Sequence, residues 1–318
     1  QAAVTPALVR EMYFGNDRQQ ETLLAFFRQH NEEFGRMVGV SRSKSSYYKY
    51  RSVYRLLAAY VRERCRRADI PFRELDKRFL AGFHQYIARE SPHKKNTAWV
   101  YMIAFKHILM LARSRDLLSA DLFAGYRLRS EFVARDYLTE TEIRRLMLLT
   151  PTDRTQRLVL DAFLFSCFTG LSYIDIRQLK PANIRYTQGQ LWIGTTRRKT
   201  GSEVYVRLFA VPNAILSRYL TDAADEPIFA LPSNGWCNAC LRRLLPEAGI
   251  VRPITFHVAR HTFATTITLS QGVAIETISK LLGHRNIRTT QIYAAVTHAK
   301  LEGDMERLSR QLDACYRL

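Results

Sequence analysis

The chain has 318 residues, 47% of them hydrophobic, enough apolar material for two ordinary domains and too much for wholesale disorder. Lys and Arg number 48 against 29 Asp and Glu, a formal charge of +19 that suits a polyanionic partner. Nucleic acid and an anionic membrane surface both fit that charge, as does a merely soluble basic protein, but no apolar run approaches the ~20 residues that span a bilayer and no N-terminal signal pattern appears.

Five cysteines (Cys65, Cys167, Cys237, Cys240 and Cys315), odd in number and scattered, do not resemble a disulfide framework, and a reducing cytoplasm is the simpler setting. Cys237 and Cys240 form a C-x-x-C without a second Cys or His pair at zinc spacing, so they are expected to be structural. Neither a carboxylate cluster nor a glycine-rich phosphate loop is present, so no metal and no other cofactor is expected.

The chain opens at Gln1 and reads as part of something longer. Residues 1–38, with one apolar helical stretch around Leu23, Leu24, Phe26 and Phe27, are expected to be a connector. After Gly39 a Ser-rich, basic stretch leads into a long amphipathic helix with Val53, Leu56, Leu57, Tyr60 and Val61 on its apolar side. Its other side carries Arg51, Arg55, Arg62 and Arg66; a run of one sign is usually a solvated face, but here it also suits DNA phosphates. A shorter helix is predicted over Phe79 to Ala88, between Pro71 and Pro92. Asn96 is the expected N-cap of the next, whose buried stripe is Val100, Ile103, Ala104, Ile108 and Leu111, with His93, Lys94, Lys95 and Lys106 presenting charge to DNA. Residues 39–125 thus read as an all-α DNA-binding domain.

From 126 to 136 the periodicity lapses and charges crowd in, which marks a linker. The second domain, 137–318, opens at Thr139 with the capping-box spacing to Glu142, followed by a strongly apolar helix from Leu158 to Phe168. Only Gln190 to Gly194 and Glu203 to Leu208 read as strands, a β-hairpin joined by a basic loop. Helical patterning then continues to a terminal stripe of Leu301, Met305, Leu308 and Leu312. The fold class is therefore mainly α, with one small antiparallel sheet.

His257 and Arg260 stand three apart in a predicted helix, pairing a proton-handling imidazole with a bidentate anion fork. Gly283-His284, Thr289-Thr290 and Tyr293-Ala294 follow. The run from His257 to Ala294 resembles the signature of the tyrosine recombinase, or phage integrase, family, and Lys199 in the hairpin loop matches that family's catalytic lysine. The resemblance extends from about Gly39 onward and is nearest to the branch found in conjugative transposons and invertible elements of Bacteroides-type bacteria. It implies a core-binding domain followed by a catalytic domain, together clamping duplex DNA, with residues before Gly39 as the remnant of an arm-binding region. Four protomers on two recombination sites are implied, and a DNA-bending accessory protein is a compatible partner. The expected setting is the bacterial cytoplasm, at the nucleoid.

By the same resemblance Tyr293 is the nucleophile, leaving a 3′-phosphotyrosyl bond and a free 5′-hydroxyl. A phenol of pKa ~10 is barely ionised at neutral pH, so it needs a base or a strong positive field; His257 is the family's base. Arg260 and His284 would bear the phosphate's growing charge, and Lys199 would protonate the leaving oxygen, while Arg197 and Arg198 are expected to touch phosphates. His261 reads as a buried hydrogen-bonding residue, and Tyr316 has no accompanying motif. One departure stands out. Where the family reads Thr-Gly-Leu-Arg, this chain has Thr169-Gly170-Leu171-Ser172, so a neutral hydroxyl replaces a catalytic arginine. Arg154, Arg157 and Arg177 are the nearby cations that could compensate, and loss of catalysis, leaving a DNA-binding regulator, is the alternative. A relaxing enzyme like the type IB topoisomerases shares the chemistry.

Overall fold

Aromatic and aliphatic residues at helical spacing draw four helices of the described residues together: α1 (Leu23–Arg36), α2 (Lys44–Glu63), α3 (Lys77–Glu90) and α4 (Lys95–Ser114). The computed structural model describes residues 22–90, 95–131, 135–198, 200–221, 223, 225–293 and 298–316, and the chain divides into units Gln1–Phe132 and Val133–Leu318. Leu23, Phe27, Val53, Leu57, Leu80, Phe83, Phe105 and Ile108 fill the first core.

Of the connector expected over residues 1–38, residues 1–21 lie outside the described residues, and Leu23–Arg36 form helix α1. Leu23, Leu24, Phe26 and Phe27 of α1 are buried in that core. Asp69, more than forty residues away in sequence, accepts from the backbone N–H groups of Leu24 (2.8 Å) and Ala25 (3.1 Å), satisfying donors that a helix start leaves open.

In α4 the buried residues are Ala98, Met102, Ala104, Phe105, Ile108, Leu109 and Ala112, whereas Val100 and Ile103 of the expected stripe are exposed. Asn96 lies within the helix and does not cap it; its amide grips Glu131 in both directions, Nδ2 donating to the carbonyl at 2.9 Å and Oδ1 accepting from the N–H at 2.8 Å.

Among the basic residues read as DNA contacts, Arg51, Arg55 and Arg62 are exposed on α2. The Arg51 guanidinium lies over the Tyr47 ring at 5.6 Å, and Arg62 pairs with Glu63 at 3.1 Å. The Lys106 ammonium sits 5.4 Å from the Phe123 ring centroid. Lys94 and the side chain of Lys95 lie outside the described residues.

The second unit begins with α5 (Glu140–Met147), where Thr139 and Glu142 form the expected capping box. Glu142 is also gripped by both terminal nitrogens of Arg252, which with the cap's hydrogen bonds holds its carboxyl down at about 2. Helix α6 (Arg154–Thr169) is the spine: every residue from Val159 to Cys167 is buried, with Phe163 edge-on to Phe256 and Phe165 tilted against Phe229.

The sheet has three strands, one more than the hairpin expected: β1 (Ile184–Thr187), β2 (Gln190–Thr196) and β3 (Glu203–Arg207), all antiparallel in the order β1-β2-β3. Strand β1 buries no residue and so carries no apolar alternation; its trace in the sequence is the turn Gln188-Gly189, both residues at positive φ, which fits a two-residue hairpin.

Beyond the sheet come α8 (Ala210–Leu216), α9 (Asn234–Leu244), α10 (Phe256–Thr262), α11 (Ile275–Leu281), α12 (Arg288–Gln291) and α13 (His298–Cys315), with the short α7 (Tyr173–Arg177) lying before β1. Cys237 and Cys240 are buried on α9 in the second core. On α13, Met305, Leu308 and Leu312 of the terminal stripe are exposed.

Gly170 ends α6 at φ +70°, and a Cβ there would lie 2.5 Å from the Phe263 ring, whereas Gly125 at φ +77° faces open space. Gly170→Ala is therefore expected to cost about 2–4 kcal/mol in urea denaturation, strain plus overlap, against about 1–2 kcal/mol of strain alone for Gly125→Ala.

Candidate active site

Four chain segments supply the site. The turn after α6 supplies Gly170 and Ser172, the tip of the β2–β3 hairpin supplies Arg197 and Thr200, α10 supplies His257, Arg260 and His261, and the stretch after α11 supplies His284 and Tyr293. Directly after His261 and Thr262 the α-helical winding loosens into a π-helical turn, Phe263–Thr268, where the Thr268 hydroxyl caps the carbonyls of Phe263 and Ala264 at 2.9 Å each. Such turns recur next to functional residues.

Arg260 is 3% exposed. Its Nη1 donates to the Gly170 carbonyl at 2.6 Å, and its Nη2 donates to the Leu282 carbonyl and to His284 Nε2 at 3.0 Å. One Nη1–H and the Nε–H remain for an anion. A guanidinium can only donate, so His284 Nε2 is the acceptor and the ring's proton sits on Nδ1, from which it is donated to Thr290 Oγ1 at 2.8 Å. In this arrangement His284 orients Arg260. Burial, and then the positive charge of Arg197, push Arg260 down to about 9, still charged at neutral pH.

Tyr293 packs among Phe263, Ala264, Ile278 and Leu282 and is 8% exposed. Its hydroxyl is hydrogen-bonded at 2.8 Å to Nδ1 of His261. Burial raises the phenol above its ordinary value, against the pull of Arg260, Arg135 and Arg197. Burial, with the charges of His257, Arg135 and Arg260, pushes His261 down to about 4, so its ring is neutral at pH 7; in the tautomer protonated at Nε2, Nδ1 accepts from the phenol. His261 is thus buried and hydrogen-bonded, as the sequence suggested, but its partner is the expected nucleophile. His257, expected to be the base, is exposed, with its ring 4.6 Å edge-on from that of His261.

Ser172 does not offer its hydroxyl to an incoming phosphate. Its Oγ donates to Asp175 Oδ2 at 2.6 Å, and its N–H reaches the same oxygen at 3.2 Å. Asp175 in turn pairs with Arg197 Nε at 3.2 Å. Arg197, expected among surface phosphate contacts, is instead 7% exposed, while its neighbour Arg198 is exposed. Asp175 went unremarked in the sequence; the spacing Ser172-x-x-Asp175 at a helix start was its signal. Lys199 lies outside the described residues. Next to it, Thr200 Oγ1 donates to the Gly283 carbonyl at 3.2 Å, tying the hairpin tip to the turn that carries His284.

The other cations considered for the missing arginine are elsewhere. Arg154 is exposed at the far end of α6, roughly 20 Å along the helix from Gly170. Arg157 pairs with Asp161 at 3.4 Å. Arg177 is exposed at the end of α7.

A proton resting on His261 costs folding free energy, because its pKa falls from 6.5 unfolded to about 4 folded. Stability from this group is complete above pH 6.5 and is lost as pH falls toward 4. Denaturation of wild type and His261→Asn across that range is expected to show the variant lacking this part of the acid sensitivity, and NMR is expected to find the His261 ring neutral at pH 5.

Comparison with known proteins agrees with this geometry. Residues 136–300 match the phage integrase family and residues 22–128 the phage integrase SAM-like domain. Tyrosine recombinase XerD of Oceanobacillus iheyensis is 45% identical over 271 residues, 71% of this chain and 88% of that protein. Tyrosine recombinase XerA of Pyrococcus furiosus is 30% identical over 185 residues, 54% of this chain, and this chain spans only 60% of its length. The fold resembles that of a lambda integrase(75-356) dimer bound to a COC' core site (TM-score 0.65, 16% identity, 86% of this chain and 95% of that one) and that of the Tn1549 transposon integrase in complex with a circular intermediate DNA (TM-score 0.65, 15% identity, 90% and 99%). It also resembles a lambda integrase tetramer bound to a Holliday junction (TM-score 0.61, 17% identity, 90% and 82%). Family match and relatives converge on one conclusion: the chain belongs to the phage integrase family, the tyrosine recombinases.

Proposed function

We propose that the protein is a site-specific DNA recombinase that integrates and excises a mobile element, cutting and rejoining duplex DNA through Tyr293. The observation that carries this reading is the Tyr293–His261 hydrogen bond beside a buried, still-charged Arg260. The phenolic proton passes to His261, the phenolate oxygen attacks phosphorus, and the bond from phosphorus to the 5′-oxygen breaks. Lys199 gives that oxygen its proton. The products are a 3′-phosphotyrosyl ester and a 5′-hydroxyl, and attack by another strand's 5′-hydroxyl reverses the step and returns the proton. His257, exposed beside His261, is the relay by which that proton leaves the buried pair. Arg260 donates its two remaining N–H groups to the phosphate, where preorganised cationic donors contribute several kcal/mol.

The helices of the first unit supply phosphate contacts through Arg51, Arg55, Arg62, Lys94, Lys95 and Lys106, and Arg198 supplies one from the hairpin tip. Four protomers assemble on two sites, as in the lambda integrase tetramer, the exposed Met305, Leu308 and Leu312 of α13 docking on a neighbour. An invertase of the same family would use the same site and assembly, and sequencing recombination junctions distinguishes the two.

A nicked suicide substrate is expected to trap a covalent DNA–protein adduct that survives denaturant. The adduct is expected to disappear in Tyr293→Phe and to persist in Tyr316→Phe, since Tyr316 is a surface residue at 77% exposure. Binding without an adduct would leave the chain a DNA-binding regulator, and relaxation of plasmids lacking any specific site would make it a topoisomerase. Met305→Glu combined with Leu308→Glu is expected to abolish higher-order complexes in gel shifts while single-protomer binding stays within about twofold.

A further inference from the structure

The chain enters the second unit alongside the helix that carries the site. Residues 135–139 lead into α5, and the backbone of Leu138 is held on both sides by α10 and the turn after it. Its N–H donates to Thr262 Oγ1 at 2.9 Å, and its carbonyl accepts from the Thr266 hydroxyl. Thr262 directly follows His261, and Thr266 lies in the π-helical turn. One residue earlier, the Tyr137 carbonyl accepts from Arg252 at 2.8 Å. Leu138 is buried, whereas Arg135, Asp136 and Tyr137 are exposed. Three residues of extended chain span at most about 10 Å, so Arg135 starts close to this grip on α10.

Burial raises the Tyr293 phenol and lowers the His261 imidazole, and charges act after it. Arg260, Arg135 and Arg197 oppose the first shift, while His257, Arg135 and Arg260 deepen the second. Arg135 and Arg260 thus act on both members of the hydrogen-bonded pair. Arg260 is committed to backbone carbonyls and Arg197 lies 3.2 Å from the Asp175 carboxylate, but Arg135 stands at the exposed rim. A cation that depresses donor and acceptor alike has a definite effect on the proton between them. With the proton on the phenol the pair is neutral; with the proton on His261 it is a phenolate beside an imidazolium, again without net charge. A cation standing off both therefore gains little from that move. Once the proton has left altogether the pair carries one negative charge, and the cation attracts it.

We propose that Arg135, pinned beside α10 through Leu138, is the charge that draws the phenolic proton out of the Tyr293–His261 pair and so readies the nucleophile. The role rests on the recombinase reading above. The phenolic O–H bond breaks and leaves its electron pair on oxygen. Nδ1 of His261 takes the proton, Nε2 gives its own to His257, and His257 passes it to water. Arg135 is a positioning residue, acting through its charge on the pair and not by contact with the reacting atoms.

The test is the rate of adduct formation by the full chain on the nicked substrate, at saturating DNA and across pH. Arg135 is exposed, so its variants are expected to keep the wild-type melting temperature. The wild-type rate is expected to rise with pH to a plateau. Arg135→Gln is expected to slow the reaction roughly tenfold below the plateau and to move the midpoint of the rise to higher pH. Arg135→Glu is expected to move it about twice as far, since reversing a charge does twice what removing it does, and Arg135→Lys is expected to stay within about threefold of wild type. Without DNA, the NMR midpoint for protonation of His261, about 4 in the wild type, is expected to rise in Arg135→Gln and further in Arg135→Glu, a graded response that lost packing does not produce. If the wild type reacts and the Arg135→Gln profile coincides with it, the assignment is overturned. It is equally overturned if Arg135→Glu is no slower than Arg135→Gln, or if the deficit appears only below saturating DNA, the mark of a plain phosphate contact. A wild type that forms no adduct at any pH overturns the recombinase reading, and this role falls with it.

Discussion

A guanidinium buried in protein carries a desolvation cost of several kcal/mol that good hydrogen bonds must offset, and at Arg260 they are backbone carbonyls. Those of Gly170 and Leu282 belong to segments more than a hundred residues apart, so one side chain joins the end of α6 to the end of α11. Other site features follow from this tie. Gly170 must reverse the chain at positive φ to present its carbonyl, α10 must be short enough to place Arg260 beside it, and His284 must face inward to accept the remaining N–H. Arg260 thus joins these segments, and it keeps its positive charge at neutral pH because its pKa, lowered by burial to about 9, still lies above 7.

The same packing keeps the phenol of Tyr293 out of water. Tyr293 lies among apolar side chains with its proton held by a neutral imidazole, an arrangement that favours the unreactive phenol. In the proposed reaction a DNA phosphate enters beside that apolar wall and brings its negative charge to Arg260.

Much of this was legible in the sequence. The strong periodicities of α2 and α6 and the Thr139–Glu142 cap mark two helical units, and the order of His257, Arg260, His284 and Tyr293 names the candidate residues. What sequence could not supply was direction. His257 and Arg260 share a helix, yet one faces solvent and the other the interior, because α10 turns its buried side toward the carbonyls that Arg260 needs. Arg197 and Arg198 are adjacent and chemically alike; pleat alternation at the end of β2 sends one inward and the other out. The helix before Gly39 was underestimated because its capping group, Asp69, is remote in the chain, and β1 escaped notice because it buries no residue.

The hairpin tip has a consequence for control. It carries Arg197 and, two residues on, Lys199, and among the described residues the hydroxyl of Thr200 hydrogen-bonds it to the Gly283 turn. The hairpin that holds Arg197 in the interior thus also carries, in its loop, the proposed general acid. Lifting the tip would withdraw that acid, so a protomer in an assembly could be silenced by a neighbour that merely pulls on its loop, while the nucleophile and Arg260 stay where they are.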